Sequence, residues 1–154
     1  MRLTRAGEYA VRCVLYLARQ EPGTLVGRKE IADQVDIPGQ FLAKIAQQLA
    51  REGIIEIQQG AGGGYRLLRA PDRITLLEVI ETIIGEIFLN DCVGRPASCD
   101  NSGGCAVHRV WLRAQQQLRD TLRQVTFADL LAEEACCLAS PSGGSAGKAK
   151  GCGA

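Results

Sequence analysis

The chain has 154 residues, 46% of them hydrophobic, and a formal net charge of +1 at pH 7. That length suits one small domain with an appended helix, and the composition is that of an ordinary globular protein. No stretch approaches the apolar run needed to span a bilayer, and the charged N-terminus MRLTRAGEYAVR lacks a signal-peptide core, so the cytoplasm is the expected compartment.

Residues 4–20 read as a helix, with Tyr9, Val11, Val14, Leu15, Leu17 and Ala18 forming a broad apolar face. Glu21-Pro22-Gly23 ends it. A short second helix is expected over 28–35, a turn at Asp36-Ile37-Pro38-Gly39, and a third helix from about Gln40 to Arg51. In that third helix Phe41, Leu42, Ile45 and Leu49 are expected to face inward, and Pro38 fits the tolerance for proline in a first turn. The period then changes. Ile54–Ile57 and Tyr65–Leu68 read as short strands around the Gly-rich turn at 58–64. Two short helices and a tight turn followed by a hairpin is a winged helix-turn-helix pattern.

Thr75 and Glu78 have capping-box spacing and open a fourth helix, to about Ile84. A cysteine loop follows over 90–105. A long helix is expected from about Ala106 to Gln124. Its Val107, Trp111, Ala114, Leu118 and Leu122 form a narrow stripe suited to helix–helix packing, here with a second copy of the chain. Thr126 and Asp129 repeat the capping-box spacing and open a last helix. The end of the chain, from Ser140, is low-complexity and expected to be disordered. The fold class is thus mainly α. Residues 1–70 form a winged helix-turn-helix, 71–138 a cysteine loop with dimerisation helices, and 139–154 a disordered tail.

Charge is unevenly spread. Residues 1–70 carry ten Lys/Arg against seven Asp/Glu, and residues 71–140 six against ten. The basic excess lies on the expected DNA reader. Gln40 and Lys44, one helical turn apart, face away from Phe41 and Ile45. Glutamine reads adenine, and lysine reads guanine or holds phosphate. Pro38 and Gly39 bring the helix start close to the DNA backbone. Arg28 and Lys29, beside free amides, are candidate phosphate contacts. The Gly60–Gly64 run enters a strand rather than a helix, so it is not a dinucleotide fingerprint. One histidine and no recognisable nucleophile arrangement argue against an enzyme.

Seven cysteines, an odd number, in a reducing compartment argue against disulfide pairing. Cys92, Cys99, Cys105 and the sole histidine, His108, lie in one Gly-rich stretch. Three thiols and an imidazole are ligands for a metal ion or an iron–sulfur cluster. Spacing alone leaves a Cys₃His zinc site and a cluster about equally placed. Cys13 is expected to be a buried apolar residue. Cys136, Cys137 and Cys152 are given no ligand role.

MRLTRAGEYAV at the start, IPGQFLAKIAQQL in the third helix and GIIEIQQGAGGGYRLLR in the wing together resemble the Rrf-two family of bacterial winged-helix regulators. The cysteine loop followed by His108 resembles its iron–sulfur-cluster (IscR-like) branch. The resemblance covers roughly residues 1–135. It implies a homodimeric transcription factor, mostly a repressor, that reads double-stranded DNA with a partly palindromic operator. It further implies one 2Fe–2S cluster per subunit, held by Cys92, Cys99, Cys105 and His108, with cluster-assembly proteins as further partners. It places Gln59 and Gly60 at a wing tip that meets DNA. From the nitric-oxide-sensing relatives, Glu8 is an alternative fourth ligand, with a 4Fe–4S cluster. Two departures stand out. Six residues separate Cys92 from Cys99, where the regulators compared have five. Gln59 stands where a basic residue often enters the minor groove, and glutamine lacks the charge that a narrow groove attracts. The competing readings are the same fold with a zinc or thiol switch, and an iron–sulfur carrier that does not bind DNA.

Overall fold

In the computed structural model, which describes residues 4–99 and 103–139, the first helix, α1, spans Arg5–Ala18. Thr4 caps it, its hydroxyl accepting from the Gly7 amide at 3.3 Å. Ala10, Cys13, Val14, Leu17 and Ala18 share one face and are buried, and α1 lies against α3 (Gly39–Arg51), α4 (Leu76–Ile84) and α7 (Phe127–Ala139).

The second helix, α2, spans Arg28–Gln34. The turn into α3 passes through Asp36 at φ +52°, a left-handed position that aspartate tolerates better than most residues. Leu42, Ile45, Ala46 and Leu49 are the buried face of α3. Phe41 was expected among them but is 46% exposed. It stands one residue, about 100° of helix rotation, from Leu42. Its ring meets Tyr9 on α1 instead, with centroids 6.3 Å apart.

Strands β1 (Ile55–Gln58) and β2 (Gly64–Leu67) pair antiparallel, Ile57 opposite Tyr65. Both run one residue off the expected bounds. The Ile54 amide still belongs to the end of α3, donating to the Leu49 carbonyl at 3.0 Å. Val26 adds a further rung to β2, exchanging two hydrogen bonds with Tyr65 at 2.9 and 2.8 Å. Gly64 makes this approach possible, because a β-carbon there would sit 2.1 Å from the Val26 carbonyl oxygen.

After a 3₁₀ turn at Pro71–Arg73, Thr75 caps α4, accepting from the Glu78 amide at 3.2 Å. The return arm of the expected capping box does not form, since Glu78 binds Arg69 at 2.7 Å. At Thr126 both arms form. The Asp129 carboxylate accepts from the Thr126 amide at 2.8 Å, and the Thr126 hydroxyl accepts from the Asp129 amide at 3.2 Å. The two helix starts are tied together: Leu76 donates to Val125 at 2.9 Å and Phe127 donates to Ile74 at 3.0 Å. Ile74, Val79 and Phe127 lie fully buried in the same core as α1 and α3.

Between α4 and α7 come a single helical turn, α5 (Asp91–Gly94), a 3₁₀ turn at Pro96–Ser98, and the long α6 (Ala106–Gln124). No residue of α6 is fully buried. Leu118 and Leu122, expected in a dimer seam, pack within the chain against Leu77, Ile80 and Ile87. Val107, Val110, Trp111 and Leu112 form its exposed apolar part. No helix among the described residues is long and apolar enough to cross a membrane. Ala139, the first residue of the tail expected to be disordered, ends α7, and the rest of it, 140–154 with Cys152, lies outside the described residues.

Candidate functional site

Cys92 sits in α5, whose start Asn90 caps by accepting from the Asp91 amide at 2.9 Å. Val93 anchors the turn by its burial. Gly94 lies under the Phe88 ring, where a β-carbon would come within 2.5 Å of Cγ. His108 belongs to the first turn of α6, and its Nδ1 lies 3.5 Å from Cys92 Sγ. Cys105 is the residue from which α6 starts, and Cys99 follows the 3₁₀ turn. All three thiols are free and half-buried. Cys13 is fully buried among apolar side chains, and burial pushes its thiol up to about 12.

The structure brings together the Cys92–His108 half of the expected ligand set. Among the described residues no three His, Cys, Asp or Glu side chains converge on one point, and Glu8 is exposed in the first turn of α1. The donor set fits the implied group. A tetrahedral centre with metal–sulfur and metal–nitrogen bonds of about 2.3 and 2.1 Å has an S···N edge of about 3.6 Å. The Cys92–His108 separation is close to that edge.

The nucleic-acid candidates lie on α2, α3 and the wing. Gln40 and Lys44 are exposed along α3, whose start is Pro38-Gly39. Arg28 and Lys29 are exposed in the first turn of α2, and Gln59 and Gly60 at the tip of the wing. Among the described residues none of Arg28, Lys29 and Lys44 is held in an ion pair. A cleft between α3 and the wing is lined by Arg28, Ala43, Gln47, Gln59, Gly60 and Tyr65. Gln47 was missed, although its spacing of seven from Gln40 and three from Lys44 marks the same helix face.

The chain is similar to several known proteins. Residues 3–133 match the family described as "Rrf2: Iron-dependent Transcriptional regulator". The HTH-type transcriptional regulator NsrR of Bacillus licheniformis is 33% identical over 132 residues, 85% of this chain and 92% of that protein. The HTH-type transcriptional regulator IscR of Erwinia tasmaniensis is 29% identical over 131 residues, 85% of this chain and 79% of that one. The solved structure of T. potens IscR shares the fold with a TM-score of 0.72 at 22% identity, over 93% of this chain and 94% of its own. The chain belongs to the Rrf2 family, and it is a transcriptional regulator rather than an enzyme.

Proposed function

We propose that this regulator is a homodimer whose grip on its operator depends on an iron–sulfur cluster held by Cys92, Cys99, Cys105 and His108. The single observation that carries the reading is the Cys92–His108 pair, a thiol and an imidazole 3.5 Å apart in a stretch with two more free thiols. When bound, a cluster at these residues supplies one-electron and ligand-exchange chemistry. Cys92 enters from α5 and His108 from α6, so these two residues, when they hold the group, would tie the loop over 90–108 to α6. Release of that loop lets the two reading heads of the dimer change separation. On each head Gln40 and Lys44 reach base edges, Arg28 and Lys29 hold phosphates, and Gln59-Gly60 approaches the minor groove.

The test is oxygen-free purification with iron, zinc and sulfide analysis, followed by binding to a site selected from random duplex DNA. The expected protein is coloured and contains acid-labile sulfide. It binds the selected site with a steep salt dependence that changes when the cluster is removed. His108→Cys shifts the visible spectrum, while Glu8→Ala leaves it unchanged. The reverse pattern moves the fourth ligand to α1. Equimolar zinc without sulfide sinks the cluster in favour of a zinc site, and a cluster without DNA binding makes the chain a carrier.

A further inference from the structure

Between α4 and Cys92 the chain has no regular structure of its own, yet it is held at several points. The Glu81 carboxylate accepts from the Ile87 amide at 3.0 Å. It also takes the Arg119 guanidinium on both oxygens, at 2.5 and 3.2 Å. Arg119 reaches on to Glu86 at 3.1 Å. One turn earlier on α6, the Gln115 side-chain oxygen accepts from the Leu89 amide at 3.2 Å. The Arg119 and Glu81 side chains are only 17% and 21% exposed, so this two-pronged pair is poorly screened by solvent. His108, Gln115 and Arg119 are spaced seven and four apart, on one face of α6. The face that presents the imidazole therefore also grips the segment that delivers Cys92.

We propose that Arg119 and Gln115, acting through Glu81 and the 86–89 backbone, are positioning residues that set Cys92 against His108. The inference rests on the cluster reading above, but the clamp itself belongs to the bare chain. Outer groups that fix the orientation of metal ligands govern how tightly the centre is held and at what potential. Here two of the four ligands arrive pre-set, one from α6 and one from a segment fastened to it.

Arg119→Met, Arg119→Lys and Gln115→Ala test this. In oxygen-free, cluster-loaded dimers, Arg119→Met and Gln115→Ala are expected to shorten the lifetime of the cluster in air by about tenfold and to shift its midpoint potential. Arg119→Lys, which keeps the charge but not the fork, recovers part of both. In the cluster-free protein, alkylation of Cys92 by iodoacetamide, mapped by mass spectrometry, is expected to speed up relative to Cys105. Should Arg119→Met fail to fold, Gln115→Ala makes the same comparison. Wild-type lifetime and potential in both variants, or a lowered melting temperature with an unchanged potential, overturns the proposal. If the wild-type protein takes up no cluster, the cluster reading fails alone. The Cys92 alkylation rate then decides the clamp, with faster reaction in the variants upholding it and an unchanged rate overturning it.

Discussion

Asp129 is an exposed side chain whose protonation state the fold nonetheless controls. Its hydrogen bonds from the Thr126 hydroxyl and then from the Thr126 amide hold its carboxyl below the usual aspartate range. A lowered folded value means that the cap stabilises fully above the unfolded value, about 3.9. That stabilisation is lost as pH falls through the folded value. Asp129→Asn is therefore expected to melt below the wild type at neutral pH and to converge with it in acid, read as melting temperature against pH. A constant gap down to pH 2 argues that asparagine loses something other than the charged cap. At this scale much was legible from sequence. Thr75 and Thr126 announce helix starts because a cap depends on neighbours three residues away. Cys13 is readable as a core residue because Val14 and Leu17 flank it at helical spacing. Phe41 was misread because a one-residue step on a helix is enough to turn a side chain out of the core. The clamp around Glu81 was not legible at all. Its partners are separated by 38 residues along the chain, and no local pattern records such a pairing.

The wing shows how one element depends on a missing side chain. Gly64 lets β2 meet Val26, and that rung fixes the wing beside the start of α2, where Arg28 lines the cleft. Gly64→Ala forces a β-carbon onto the Val26 carbonyl and opens both hydrogen bonds to Tyr65. The expected cost is about 1–3 kcal/mol in denaturant unfolding. Operator binding should fall further than the lost stability explains, because the wing shifts relative to α3. A folded variant with wild-type DNA affinity means that the rung does not set the wing's position. The sequence marked a Gly-rich hairpin here, but the rung to Val26 joins residues 39 apart along the chain and became visible only in three dimensions.

The exposed part of α6 sets the expectation for the whole molecule. Val107, Val110, Trp111 and Leu112 are 38–58% exposed on consecutive turns. Apolar surface concentrated in this way marks an interface. The helix thus divides its labour along its length, with Leu118 and Leu122 serving the chain's own α4. Trp111→Glu is expected to give monomers in sedimentation, with weak operator binding and an unchanged fold. Leu122→Ala is expected to keep the dimer but to lower stability by about 2 kcal/mol, since its site is half-buried. If Trp111→Glu remains dimeric, the seam lies elsewhere. The apolar stripe was visible in the sequence, but the packing of Leu118 and Leu122 on the chain's own α4 was not. Spacing gives the face of a helix, not what covers it.

The tie between Thr75 and Thr126 bears on how such a chain can change over generations. Two adjacent hydrogen bonds, Leu76 to Val125 and Phe127 to Ile74, close the segment that starts with α4, and α4 itself stays packed on α1 with Val79 in the core. Beyond α4 a segment closed in this way can be lengthened at small cost, because closure entropy grows only slowly with length. Changes between relatives are therefore expected to gather between α4 and Val125 and to spare α4, whose Val79 belongs to the core of the reading head.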